Sequence, residues 1–287
     1  MMIWLRYNMQ KIRKMMLPSG WYPHRAQGVK EFLQDFSLSG ASEARAVISP
    51  HAGWFFSGRL AAQAIASLYA DIDTIIVAGG HLPSNASVLF ACEDEIQTPL
   101  GALKIDTELR SHLQGALDGK ADMSADNTVE VLLPAVHYFF PMARLIWMRL
   151  PACMRAFEAG KIIGEKAAAL QRRVAVIAST DLTHYGACYD FAAHGSGAAA
   201  LQWVKEVNDK RFIEAFESGD PEEILKRARD ENSACSPGAV LCALGFSQCA
   251  AHLLGYTTSA DLMCETGESP PDSFVGYASA VFSAIST

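Results

Sequence analysis

Two short apolar runs, each released from a sheet at a histidine, constrain this chain more than any other feature. Ala46-Val47-Ile48-Ser49 runs into Pro50, which cannot continue a strand ladder, so His51 is presented at a strand's carboxyl end. Gly53 and Gly58 bracket an aromatic turn, and Ser57 is placed to cap a helix whose Leu60, Ala61, Ala64, Ile65 and Leu68 fall at helical spacing. The next run, Asp73–Ala78, ends in Gly79-Gly80-His81. A strand–helix–strand crossover makes the two strands parallel, so both imidazoles belong on one rim, where ligands of open α/β sheets collect. Two histidines there point to a metal. Ligands on an exposed rim should contribute little to the core.

A third run, Val174–Ser179, leads into Thr180-Asp181-Leu182-Thr183-His184-Tyr185-Gly186 and adds Asp181 and His184 to the same rim. Any one such residue has an ordinary structural explanation, and Asp181 could simply cap a turn. Three strand ends carrying such groups are harder to dismiss. Cys235 precedes a helix start at Ser236-Pro237-Gly238, where a thiol should have a lowered pKa and serve as ligand or nucleophile. Histidine suits zinc, copper and iron, and a mixed imidazole and thiolate set leans towards the softer of these, while two histidines with one anionic ligand would also suit ferrous iron. Neither a dinucleotide fingerprint nor a phosphate loop nor a nucleophile elbow occurs.

Elsewhere the pattern predicts a turn and amphipathic helix over 18–36, and a hairpin turning at Thr98-Pro99-Leu100-Gly101. A helix capped by Asp106 should follow, then one over 126–140 that Pro134 ends or kinks. A strand is expected over 143–150 and a helix over 156–171. Helices are expected over 192–230 and from Ser236 to about Leu254, and strands over 256–264 and 274–282. The order predicts one α/β domain, a largely parallel or mixed sheet flanked by helices. Residues 1–16 read as a basic arm, disordered or loosely packed, or as an overlong gene start, ahead of a domain over 17–287.

With 50% hydrophobic residues the chain can bury a large core, and its net charge of −7 argues against a nucleic-acid surface. No apolar run reaches the roughly 20 residues of a membrane span. Seven cysteines, an odd number without a CxxC pair, suggest a reduced, cytoplasmic protein. Cys235, Cys242 and Cys249 recur every seven residues, as buried thiols on one helix face would.

The motifs GWYP, SPHAGWFFSG, GGH followed by TPLG, DNTVEVLLP, STDLTHYG and SACSPG, in this order, resemble the Memo family, also called AmmeMemoRadiSam system protein B. That family is similar in fold to the class III, LigB-type extradiol dioxygenases, a phosphorylase/hydrolase-like architecture using non-haem ferrous iron. The resemblance implies metal binding by His51, His81 and Cys235, and acid/base catalysis by His184 with Asp181 beside it. Trp54, Asn127 and Glu130 are expected at the pocket; Trp54, Phe55 and Phe56 could wall it, although at least one of these three is expected to pack under the loop instead. It further implies iron(II), with zinc or copper as alternatives, and an oxygen- or redox-dependent reaction on a small, aromatic substrate. Eukaryotic members resemble motility regulators that bind phosphotyrosine peptides, so a peptide-binding protein with a vestigial site is the rival reading, and a zinc-dependent hydrolase a third. The family's Glu-His-Ser-Leu-Glu stands here as Asp126-Asn127-Thr128-Val129-Glu130, and its Cys-Gly as Cys235-Ser236. The sequence leaves the oligomeric state open.

Overall fold

The computed structural model describes residues 11–38, 43–265, 267 and 269–283. In chain order the elements open with β1 (Ile12–Arg13), α1 (Ala26–Leu33), β2 (Ala46–Ser49), α2 (Trp54–Ala66) and β3 (Thr74–Leu82). Then come β4 (Leu89–Ala91), the hairpin β5 (Glu95–Thr98) and β6 (Gly101–Lys104), α3 (Thr107–Ala116) and β7 (Lys120–Asp122). The middle holds α4 (Asn127–Glu130), α5 (Leu133–Phe139), β8 (Arg144–Pro151), α6 (Arg155–Ala169), β9 (Val174–Ser179) and β10 (His184–Tyr185). The chain continues through α7 (Gly197–Trp203), a π-helical turn at Val204–Asn208, α8 (Asp209–Ser218), α9 (Pro221–Glu231), α10 (Pro237–Ser247), β11 (Ala251–Thr258), α11 (Ser259–Glu265) and β12 (Phe274–Phe282).

The main sheet runs β10-β12-β2-β9-β3-β8-β4-β7, with β11 also paired to β12. β2, β9, β3 and β8 are parallel, whereas β12 and β4 run antiparallel beside them, so the sheet is mixed. β9 separates β2 from β3, yet both strands still leave the sheet on the same rim. The parallel strands bury both faces, which is why they read as unbroken apolar runs. Ile76, Val176 and Ala178 point into a core shared with α6, α8, α9 and α10. Ile75, Val77 and Ile177 point into the opposite core, under α1, α2 and α5. No helix among the described residues is long and apolar enough to cross a membrane.

Several expectations need correction. Residues 11–16 are not a loose arm: β1 pairs with β5, and the Arg13 guanidinium lies 4.4 Å from the Trp147 ring centroid. Residues 1–10 lie outside the described residues. Gly53, not Ser57, occupies the cap of α2; Ser57 sits inside the first turn and donates to the Ala52 carbonyl at 3.0 Å. α10 stops at Ser247, where Gln248 turns left-handed (φ 54°) and donates back to the Leu244 carbonyl at 2.8 Å. Cys235 and Cys249 therefore flank that helix, and only Cys242 lies in it. Residues 259–264, expected as strand, are in α11.

Candidate metal centre

Pro50 ends β2 and turns His51 inward, where it is 1% exposed. Its Nδ1 lies 2.9 Å from Ser179 Oγ at the end of the adjacent β9. With Nδ1 so engaged, Nε2 faces Cys235 Sγ at 3.3 Å. His81 leaves β3 beside it, the two rings 5.0 Å apart and nearly perpendicular. One donor atom from each of His51, His81 and Cys235 falls within a 4.8 Å set, a candidate metal site.

Burial and the neighbouring His184 hold the His51 imidazole down to about 3. His81 is open to the cleft but hemmed in on most sides; that desolvation, with His51, His184 and Arg149 nearby, lowers it to about 3 also. Both are thus neutral imidazoles, the form that ligates. The Cys235 thiol is not activated as its position before a helix suggested. Burial and the Asp181 carboxylate push it up to about 12. The donor set fits a cation, because a bound ion supplies the countercharge that releases a thiol proton. Asp181 N–H already donates to Cys235 Sγ at 3.3 Å, as it would to a thiolate.

Asp181 is tied to the same loop, accepting from His51 N–H at 2.7 Å. Burial raises its carboxyl to about 6. His184 donates from Nδ1 to the Leu182 carbonyl at 3.2 Å, leaving Nε2 for the cleft, and its ring meets Tyr189 edge-on at 5.0 Å. A cavity of about 410 Å³ is lined by His51, His81, Asp181, His184 and Asn127. Aromatic walls come from Trp21, Phe55, Phe56, Tyr189 and Tyr277. An adjoining hollow of about 420 Å³ shares His81, His184 and Tyr189 and reaches Cys235. Among the described residues, neither is lined by lysine or arginine.

With this geometry in view, the family can be assigned. The model of Memo-like proteins matches residues 13–281. The chain belongs to the Memo family. A MEMO1 family protein of Thermococcus onnurineus is 30% identical over 88% of this chain and 92% of its own length. One from Pyrococcus furiosus is 29% identical over 94% and 98%. A solved structure of an uncharacterised Escherichia coli K12 protein overlaps 84% of this chain and 100% of its own, with TM-score 0.46 and 12% identity.

Two of the residues expected at the pocket lie elsewhere, and of the three loop aromatics Trp54 is the one that takes the expected place under the loop. Trp54 is buried and donates from Nε1 to the Val131 carbonyl at 2.9 Å, packing beneath the loop against Phe32. Trp21, from GWYP, stands in the wall instead. Glu130 is buried away from the cleft and accepts from Met16 N–H, Leu17 N–H and Tyr22 Oη at 2.8 Å each, clamping the incoming chain. Asn127 does line the cavity, and its Nδ2 donates to the His51 carbonyl at 3.4 Å. Ser179 and Arg149 carry no signal of their own in the sequence: each is a polar residue within a mostly apolar strand.

Behind His184, Asp209 Oδ1 accepts from Thr183 N–H at 3.0 Å and from Thr183 Oγ1, while Oδ2 accepts from Tyr256 Oη at 2.7 Å. Burial outweighs these bonds and raises the carboxyl from 3.8 to about 6. Between those values the folded protein keeps a proton that the unfolded chain has lost. Stability from this group is therefore full below the unfolded value and falls, by about 3 kcal/mol, as pH rises through the folded one. Asp209→Asn is expected to flatten the slope of urea-unfolding free energy across this range, leaving the similar contribution of Asp181. An unchanged slope would remove Asp209 as its source.

Proposed function

We propose that this Memo family protein is a metal-dependent enzyme in which His51, His81 and Cys235 hold iron(II) and His184 moves a proton to or from a small aromatic substrate. The observation that carries this reading is that donor atoms of His51, His81 and Cys235 lie within 4.8 Å of one another, while His184 lines both the cavity that reaches His51 and His81 and the hollow that reaches His81 and Cys235. When bound, ferrous iron supplies Lewis acidity and a redox couple, the chemistry of class III extradiol dioxygenases. The chain's own residues do the rest. Ser179 orients His51, and Asp181 fixes the loop that carries both the thiol contact and His184. The Leu182 carbonyl holds His184 with Nε2 free, as an acid/base group requires. Trp21, Phe55, Phe56, Tyr189 and Tyr277 favour a flat apolar body.

The test is anaerobic titration of the apo-protein with Fe²⁺, followed by oxygen uptake with a panel of catechols. One equivalent of bound iron and oxygen consumption that His184→Gln abolishes, at unchanged iron content, are the expected results. Iron binding without turnover would leave the vestigial-site reading. Turnover only in the zinc-loaded protein, without oxygen, would turn the assignment to a hydrolase.

A further inference from the structure

His81 adopts a left-handed backbone, φ 58°. A residue with a side chain pays roughly 1–3 kcal/mol for such a conformation, so the surroundings must impose it. The surroundings grip the preceding residue, Gly80, at both of its backbone polar atoms. Gly80 N–H donates to Thr128 Oγ1 at 3.2 Å, and the Gly80 carbonyl accepts from Arg149 Nε at 3.2 Å. The same Arg149 nitrogen lies 3.1 Å from Asp126 Oδ2. Asp126 Oδ1 in turn accepts from Thr128 N–H at 3.0 Å and from Thr128 Oγ1. The contacts close a ring through Gly80, Thr128, Asp126 and Arg149, built from β3, the start of α4 and β8, with every member buried. Arg149 is further anchored by Asp122, 3.5 Å from Nη1, which accepts from Trp147 Nε1 at 2.9 Å.

The fit around β3 is tight enough to transmit this grip. A Cβ on Gly79 would stand 2.7 Å from Val129 Cγ2, and one on Gly80 would stand 3.0 Å from Ser236 Cα. β3 therefore runs directly under both α4 and the Ser236 backbone that follows Cys235.

We infer that Thr128, Asp126 and Arg149 are positioning residues whose ring holds His81 left-handed, keeping its imidazole beside His51 and Cys235 before an ion arrives. The inference rests on the proposal that these three residues bind metal. Without the ring, His81 relaxes, and binding must restore the strained backbone. Partners that orient a ligand in this way are commonly worth about 10–100-fold in metal affinity.

Thr128→Val removes the hydroxyl and keeps the shape, whereas Thr128→Ser keeps the hydroxyl. Each apo-protein is titrated with Co²⁺, read by its thiolate and ligand-field absorption, and each is crystallised without metal. Thr128→Val is expected to bind Co²⁺ about 10–100-fold more weakly, with His81 at negative φ, and Thr128→Ser to match the wild type in both respects. Wild-type affinity in Thr128→Val, or His81 still at positive φ there, overturns the inference. Should Thr128→Val not fold, Asp126→Asn breaks the ring at its other side and is read the same way. Wild-type protein that binds no Co²⁺ ends the metal proposal alone; the φ of His81 in Thr128→Val still decides whether the ring positions it.

Discussion

Gly160→Ala is expected to destabilise the protein by more than about 3 kcal/mol, at or beyond the top of the usual range for overpacking. α6 and α10 touch backbone to backbone at this point. A Cβ on Gly160 would fall on the Cys242 carbonyl, 2.6 Å from Phe246 N and 2.9 Å from Gly245 C. On the other helix, a Cβ on Gly245 would press on Phe157, 3.0 Å from its carbonyl carbon. A side chain can rotate away from a new methyl, but a backbone cannot, so the helices must part. Gly164→Ala, one turn on, is the control: its nearest neighbour would be Phe246 Cδ2 at 3.9 Å, and alanine gains up to about 1 kcal/mol in helix propensity. Thermal or urea unfolding of both variants checks this, and equal stabilities would refute it. Because α10 starts at Pro237, next to the Cys235-Ser236 pair, parting the helices should also weaken metal binding.

His51→Ala and His81→Ala are both expected to abolish tight metal binding but to differ in what else they do. His81 opens on the cleft, so its removal should leave the melting temperature near that of the wild type. His51 is 1% exposed and bonded to Ser179. Its loss leaves a cavity and an unpaired buried hydroxyl, a cost of about 2 kcal/mol or more. The view of both ligands as rim residues that matter little to the core therefore holds for His81 and not for His51. Metal analysis beside thermal melting separates the two effects, and wild-type metal content in either variant would sink the assignment.

β9 and β12 were legible to the residue because their apolar runs are buried on both sides and flanked by polar residues, Arg172-Arg173 and Thr180-Asp181 for the first and, after Pro271, Asp272-Ser273 before the second. α10 was harder. It is buried all round, so its sequence has no amphipathic period to stop at, and the left-handed Gln248 that ends it is a residue type with no special preference there. The three donors were legible because histidines and a cysteine at strand and helix ends are chemically conspicuous. Their supports were not. Arg149 is one charged residue in a buried strand, and it pairs with Asp122 and Asp126, which reach it only once β8 has joined the sheet. Trp54 and Trp21 are alike as aromatic loop residues, and only the path of the chain decides that the first packs below the loop and the second faces the cleft.

The insertion of β9 between β2 and β3 sets the moment at which the centre can exist. During synthesis β2, α2 and β3 emerge together, yet the two histidine-bearing strands have no partner in each other and must wait for β9. Cys235 follows later, and β12, which flanks β2, later still. Such non-local pairing is slow to form. A nascent chain therefore has its histidines long before it has a place for the proposed ion, and metal loading would report completed assembly.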